Sequence, residues 1–110
     1  MENSPAQLVD DAVTGSTKTN GRALITGASA GLGAEFARQL AARGSNLVLV
    51  ARREERLREL ADRLNEEFGV QADVIVADLA DPAAPQRIAD TCAQNGWNIE
   101  WLINNAGIAG

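Results

Sequence analysis

The stretch TGASAGLG, residues Thr26 to Gly33, places three glycines within eight residues, directly after a short apolar run. In a turn that joins a strand to a helix, Gly27 would allow the tight turn, Gly31 would let the backbone approach a bound anion, and Gly33 would let the helix pack closely on the sheet. A helix that starts at such a turn points free N–H groups and the positive end of its dipole outward. The stretch therefore predicts an anion site, with a dinucleotide pyrophosphate as the expected anion. A turn that only caps a helix remains the alternative.

The rest of the sequence alternates between apolar runs and segments of helical period. Four nearly continuous apolar runs predict parallel strands buried on both faces, at 23–26, 46–50, 73–77 and 101–104. The helical segments between them are Leu32 to Arg43, Glu54 to Phe68 and Pro82 to Asn95, with Gly44, Gly69 and Gly96 where C-terminal caps are needed. The second helix collects its apolar residues on one face, namely Leu57, Leu60, Ala61 and Leu64. This βαβαβαβ order predicts an α/β fold, a Rossmann-like doubly wound parallel sheet with strand order 3-2-1-4.

Composition and charge exclude several classes of protein. The chain has 110 residues, 45% of them hydrophobic, which is enough for a packed core, while residues 1–20 have no sustained period and are predicted to be a flexible leader. A net charge of -5 disfavours nucleic acid and anionic membranes as partners. Cys92 is the only cysteine and histidine is absent, so we expect no disulfide, no metal site and a cytoplasmic location. Cys92 itself is interpreted as a small packing residue.

Three separated motifs together resemble one protein family. They are TGASAGLG, Asp78-Leu79 after the third apolar run, and Asn-Asn-Ala-Gly at 104–107 after the fourth. This combination resembles the single-domain branch of the short-chain dehydrogenase/reductase family, whose glycine pattern T-G-x-x-x-G-x-G is met in full. The resemblance covers residues 21–110 and implies that they are the N-terminal part of a Rossmann dinucleotide-binding domain.

The resemblance implies roles for residues near the glycines and after the third strand. In the glycine turn, the Ser29 hydroxyl would contact the phosphates or ribose of the cofactor, and Ala30 and Leu32 would contribute backbone groups. Asp78 resembles the carboxylate that accepts a hydrogen bond from the adenine amino group, with the Leu79 amide on a ring nitrogen. For Asp78, a polar turn before the next helix is the alternative.

The fourth-strand motif has a similar double interpretation. Asn105, Ala106 and Gly107 resemble the turn that lines the adenosine ribose side of the groove. Part of the expected role of Asn104 and Asn105 is structural, because their amides can tie neighbouring strands by hydrogen bonds.

The residues after the second strand predict NADP as the cofactor, with NAD as the weaker candidate. A cofactor lacking the 2'-phosphate is usually held by an acid at this point, but the chain has Ala51 followed by Arg52 and Arg53. Arg52 can meet a 2'-phosphate with charge-assisted hydrogen bonds. Ala30 departs from the family pattern, because many NADP-using relatives have a basic residue there. The alternative is that both arginines are solvated and pair with acids of the second helix such as Glu55.

No catalytic residue is predicted within the chain. The resemblance implies hydride transfer between NADP(H) and a small alcohol or carbonyl substrate, with a tyrosine, a lysine and a serine as catalytic groups. The chain has no tyrosine, and Lys18 is its only lysine. We therefore expect that the complete protein is an oxidoreductase and that these 110 residues alone have no activity. The family resemblance also implies that the complete protein is a homo-oligomer. A stand-alone nucleotide-binding module or an inactive fragment is the alternative.

Overall fold

The computed structural model describes residues 21–105, which alternate between strands and helices as the sequence predicts. The elements are β1 (Gly21–Thr26), α1 (Gly31–Ala42), β2 (Asn46–Ala51), α2 (Glu54–Phe68), β3 (Ala72–Val76), α3 (Ala84–Gln94) and β4 (Asn98–Asn104). All strands are parallel, in the order β3-β2-β1-β4. The predicted fold class and strand order are confirmed. The predicted leader, 1–20, and the predicted site residues Ala106 and Gly107 lie outside the described residues.

The two central strands carry the core. Five of the six positions of β1 and of β2 are buried, as their continuous apolar sequences predict. One apolar cluster, cluster A, lies between the sheet and α1 and α2, and a smaller one, cluster B, lies between the sheet and α3. The predicted apolar face of α2 is the buried face, consisting of Leu57, Leu60, Ala61 and Leu64.

The prediction that every strand is buried on both faces is wrong for β3 and β4. No position of β4 is buried, and Leu102 in its middle is 66% exposed. Only the first residue of β3 is buried. Within residues 21–105 these two strands form the edges of the sheet, so each has a strand neighbour on one side only. An apolar run predicts a buried strand, but the position of that strand in the sheet decides how many of its residues are buried.

Several predicted element boundaries also shift. The third strand is 72–76 rather than 73–77, and the fourth begins three residues earlier than predicted, at Asn98. The third helix begins at Ala84, two residues after Pro82, because Asp81 forms a turn there. Its Oδ1 accepts a hydrogen bond from the Ala83 N–H at 2.9 Å. A side chain that bonds the backbone locally competes with the first helical turn.

The second helix ends at Phe68 as predicted, whereas α1 and α3 end one residue earlier than predicted, at Ala42 and Gln94. Gly44, Gly69 and Gly96 follow α1, α2 and α3 in the left-handed conformation. No helix within 21–105 combines the length and the apolar character that crossing a membrane requires.

A buried arginine, which the sequence analysis missed, closes the amino end of the sheet. Arg22 is only 7% exposed, and its Nη1 donates to the Leu47 carbonyl at 3.1 Å and to Asp73 Oδ2 at 2.7 Å. Its Nη2 donates to Gln71 Oε1 at 2.9 Å, and the guanidinium lies 5.1 Å from the centroid of the Trp97 ring. One cation therefore joins β1, β2, β3 and the turn before β4.

Candidate cofactor-binding site

The carboxyl ends of the strands surround a cavity of about 720 Å³. It is lined by Gly27, Ser29, Ala30, Gly31, Leu32, Val50, Ala51, Arg52, Arg53, Ala77, Asp78, Leu79, Ala80 and Asn105. We call it the upper cavity. Nine of the residues predicted from the sequence lie on it, although they come from four separate segments of the chain. Parallel strands place their carboxyl ends at one edge of the sheet, and this is where open α/β sheets bind ligands.

The glycine turn is fixed to strands on both sides of β1. The Ala28 N–H donates to the Val50 carbonyl of β2 at 3.2 Å. The Asn105 amide nitrogen, just beyond β4, donates to the Gly27 carbonyl at 3.1 Å. These bonds hold the turn in one position before any ligand arrives, which is the preorganisation that favours tight binding.

Two of the three glycines meet different steric demands. Gly33 does not line the cavity. A Cβ there would contact the Gly27 carbonyl and lie 2.7 Å from the Asn105 amide nitrogen. Gly31 has φ +61°, and a Cβ there would have no atom within 4 Å. Gly33 thus serves close packing, as predicted, while Gly31 keeps open the space in front of the helix.

The start of α1 is electrostatically unlike the start of α2. The N-cap residue of α1 is Ala30, which has no capping side chain, and its first turn contains no acid. The first turn of α2 contains Glu54 and Glu55, which complement the positive end of the helix dipole. Because α1 lacks any such acid and opens on the cavity, its N–H groups remain available to an external anion.

Two arginines stand where β2 ends. Arg52 and Arg53 both line the upper cavity and are exposed, and neither takes part in an ion pair within residues 21–105. The ion pair of α2 nearby joins Arg58 to Glu54. The alternative in which Arg52 and Arg53 pair with acids of α2 is therefore not observed in the described part of the chain. The cavity combines two cations with one acid, Asp78, in a chain of net charge -5.

Asp78 forms the polar turn that was the alternative for this residue, and it also lines the cavity. Its Oδ1 accepts the Ala80 N–H at 2.9 Å, and its backbone carbonyl accepts the Asp81 N–H at 2.9 Å. The turn uses one carboxylate oxygen and fixes the residue at the cavity wall, so structural and binding roles are compatible. Whether Asp78 contacts adenine stays a prediction.

The two asparagines at the end of β4 make the hydrogen bonds expected of them. Thr26 Oγ1 donates to Asn104 Oδ1 at 3.0 Å, which ties β1 to β4, and Asn105 is 7% exposed.

The sequence analysis did not assign Arg53, Val50, Ala77 or Ala80 to the site. Their position at the carboxyl ends of β2 and β3 was the signal that could have found them.

A second, mostly apolar cavity of about 880 Å³ lies beside α3 and β4. Its wall includes Cys92, and burial raises the pKa of this thiol above its usual value, an effect that the positive charge of Arg22 partly offsets. A thiol that resists ionisation is a poor nucleophile. This agrees with the interpretation of Cys92 as a packing residue.

A profile of the family described as short chain dehydrogenase matches residues 21–110. The chain belongs to this family. The match covers the glycine turn, both arginines after β2, Asp78 and the fourth-strand motif, and therefore every residue predicted for the site.

Three of the similar proteins are named as two reductases of different substrates and one short-chain dehydrogenase. Sulfoacetaldehyde reductase 2 of Chromohalobacter salexigens is 42% identical over 86 residues, which are 78% of this chain and 33% of the relative. A short-chain dehydrogenase from Sphingobium yanoikuyae in complex with NADPH is 46% identical, with a TM-score of 0.62, over 64% of this chain and 28% of that one. L-Sorbose reductase from Gluconobacter frateurii, complexed with NADPH and L-sorbose, is 38% identical with a TM-score of 0.63, over 66% and 27%. This chain thus spans about a third of the length of the relatives that it matches.

Proposed function

We propose that this chain is the NADP(H)-binding part of a short-chain oxidoreductase that transfers hydride between the cofactor and an alcohol or carbonyl substrate. One observation carries the proposal. The upper cavity combines an acid-free helix start with two arginines that have no ion-pair partner among residues 21–105. Groups that could satisfy an anion, and that nothing in the described chain satisfies, point to an anionic ligand.

The groups that line the cavity suit the successive parts of a dinucleotide, its pyrophosphate and its adenine. The pyrophosphate would lie against the N–H groups at the start of α1, where Gly31 leaves open space. The adenine would lie toward Asp78 and Leu79, which reach the cavity from beyond β3. Ser29 and Asn105 also line the cavity, and we expect them to contact the ribose side of the cofactor. The two NADPH-bound relatives support this assignment.

The 2'-phosphate is the group that distinguishes NADP from NAD. Arg52 is exposed at the cavity wall and carries a planar guanidinium, which suits a phosphate. The preceding residue, Ala51, has no carboxylate to repel that phosphate. Ala30 adds no second charge from the glycine turn, so we expect selectivity to depend mainly on the end of β2.

Catalytic groups would come from outside these 110 residues, because the chain has no tyrosine. When bound, the nicotinamide supplies or accepts the hydride, and the residues of this chain bind and orient the adenosine and phosphate portions. We therefore propose that the chain by itself binds the cofactor and shows no carbonyl reduction. We also propose a cytoplasmic location and a homo-oligomer for the complete protein, supported by the single buried cysteine and by the family respectively.

Calorimetric titration of the chain with NADPH and with NADH tests the proposal. We expect NADPH to bind about tenfold to hundredfold more tightly, since a charge-assisted bond to phosphate contributes about 1.5–3 kcal/mol. Arg52→Ala should remove most of that ratio and leave NADH binding nearly unchanged. Arg56→Ala is the matched control, because Arg56 is an exposed arginine of α2 that does not line the cavity.

Two results would contradict the proposal. Equal affinity for NADPH and NADH in the parent chain would remove the role of Arg52, and failure to bind either would remove the cofactor site. The alternative, a stand-alone nucleotide-binding module, predicts the same binding. An assay of the complete protein distinguishes the two hypotheses, because an oxidoreductase should reduce carbonyl compounds with NADPH and a binding module should not.

A further inference from the structure

The strand β3 pairs only with β2 in the described part of the chain, so one side of its backbone has no strand neighbour there. On the paired side, the Leu47 N–H donates to the Gln71 carbonyl at 2.8 Å, and the Ala77 N–H donates to the Ala51 carbonyl at 3.0 Å. Backbone groups alternate between the two sides of a strand, so the odd-numbered residues from 71 to 77 face β2. The N–H and carbonyl groups that point away from the sheet are those of Ala72, Val74 and Val76. We call this side the open edge of β3.

The sequence of β3 favours pairing with a further strand. Three β-branched residues follow one another, Val74, Ile75 and Val76, and Val76 is 42% exposed. The strand has one charged residue, Asp73, whose carboxylate is already bonded to Arg22 at 2.7 Å. Short apolar segments of low charge at the edge of a sheet recruit strands from other molecules. We therefore expect some feature of the chain to block this edge.

Asn65, in the last turn of α2, covers the amino end of the open edge. Its Oδ1 accepts a hydrogen bond from the Ala72 N–H at 2.7 Å. This contact is possible because the chain turns back at Gly69, which has φ +70° and whose N–H donates to the Asn65 carbonyl at 3.0 Å. Asn65 itself is exposed, so its side chain lies on the surface that a further strand would have to approach.

A second copy of the chain is the partner that fits the open edge, where the N–H groups of Val74 and Val76 have no hydrogen-bond partner within residues 21–105. Antiparallel pairing about a two-fold axis would place Val74 opposite Val74 of the other copy and Ala72 opposite Val76, and each pair would exchange two backbone hydrogen bonds. The Ala72 N–H is already used, however, and the Asn65 oxygen occupies the position that the Val76 carbonyl of the other copy would take. Because the two-fold axis repeats this obstruction at both ends, only the central pair could form.

We infer that Asn65 prevents β3 from pairing with a second copy of this chain, because it binds the outward N–H of Ala72 and occupies the space beside it. This role concerns the association of the chain and not the cofactor site, so it does not rest on the function proposed above. The homo-oligomer proposed for the complete protein should therefore form through surfaces other than the open edge of β3.

The substitution Asn65→Ala in the full 110-residue chain tests the inference. We expect analytical ultracentrifugation to show self-association at a protein concentration at least about tenfold lower than for the parent chain. Glu66→Ala is the matched control, because Glu66 is the exposed neighbour of Asn65 in α2 and makes no hydrogen bond to β3 in the described region. Adding Val76→Lys to Asn65→Ala should restore the parental behaviour, since a charged side chain on an edge strand opposes pairing.

Amide hydrogen exchange, followed by nuclear magnetic resonance, shows whether the association involves β3. In the parent chain the Ala72 amide should exchange more slowly than the Val74 amide, because only Ala72 has a hydrogen-bond partner on the open edge. In Asn65→Ala the Ala72 amide should lose this protection in dilute solution, and the Val74 amide should gain protection as the protein concentration is raised. Equal exchange of the two amides in the parent would overturn the inference, even if the variant does not fold. A folded variant that associates no more readily than the parent, or that associates while its Val74 amide stays unprotected, would overturn it as well.

Discussion

The two ends of the sheet use arginine in opposite ways. At the amino end, the guanidinium of Arg22 is buried and donates to a backbone carbonyl, an amide oxygen and a carboxylate. At the carboxyl end, Arg52 and Arg53 are exposed and make no ion pair within residues 21–105. The interior of this described region also leaves no buried side-chain nitrogen or oxygen without a hydrogen-bond partner. Polar groups with partners in the chain hold the fold, whereas the two arginines without an ion pair in the described region line the candidate site.

Glycines show the same contrast between the two ends. The missing Cβ of Gly33 makes room for a backbone carbonyl and a buried amide, neither of which can move without displacing the turn. The missing Cβ of Gly21 makes room for the end of the flexible Glu100 side chain. An identical substitution at the two positions should therefore have very different effects.

Gly33→Ala should have the largest effect. The new methyl group would meet the Gly27 carbonyl and the Asn105 amide, and overpacking against a fixed backbone costs about 3 kcal/mol of unfolding free energy. Because the displaced atoms belong to the glycine turn, NADPH affinity should fall as well. Urea unfolding and calorimetry measure the two effects. An unchanged turn, with parental stability and affinity, would show that the helix can move away at little cost.

Arg22→Met should have the second largest effect, and on stability alone. The substitution keeps an apolar stem beside Trp97 but leaves the Leu47 carbonyl without its donor, at a cost of about 2 kcal/mol. The ion pair adds little, since the Asp73 carboxylate is 45% exposed. Urea unfolding measures the loss, and NADPH affinity of the folded chain should not change.

The matched control for this substitution is Arg52→Met at the other end of the sheet. There we expect parental stability and a reduced preference for NADPH. If Arg22→Met impaired cofactor binding in the folded chain, the two ends would not be separable.

Gly21→Ala should have the smallest effect, under about 0.5 kcal/mol of unfolding free energy. The Glu100 carboxylate can rotate away from the new methyl group, because it is the end of a flexible and exposed side chain. The Glu100→Ala, Gly21→Ala double variant provides the control, since the methyl group then meets no carboxylate. A loss of unfolding free energy as large as that for Gly33→Ala would mean that the Glu100 carboxylate cannot move away from the new methyl group.

Most of the site could be predicted because its residues follow strand ends. The glycine turn, Arg52, Asp78 and Asn105 each come directly after an apolar run, and a parallel sheet brings such positions together. Arg22 could not be found in this way. A charged residue inside an apolar strand gives no signal of its partners, which lie 25 to 51 residues away along the chain.

The sequence by itself determined the element order, the strand order, the caps of the helices and the turn that opens on the cavity, because these depend on local periodicity, on glycine and on the handedness of the connections. Only the tertiary structure decided that β3 and β4 are half-exposed edges, that Arg22 is the buried cation of the sheet, and that β4 contains a bulge at Glu100. Each of these depends on which side chains of distant segments lie together. A bulge in particular conflicts with the two-residue period of its own strand, and it is stable only because both faces of β4 must meet apolar clusters that other elements build.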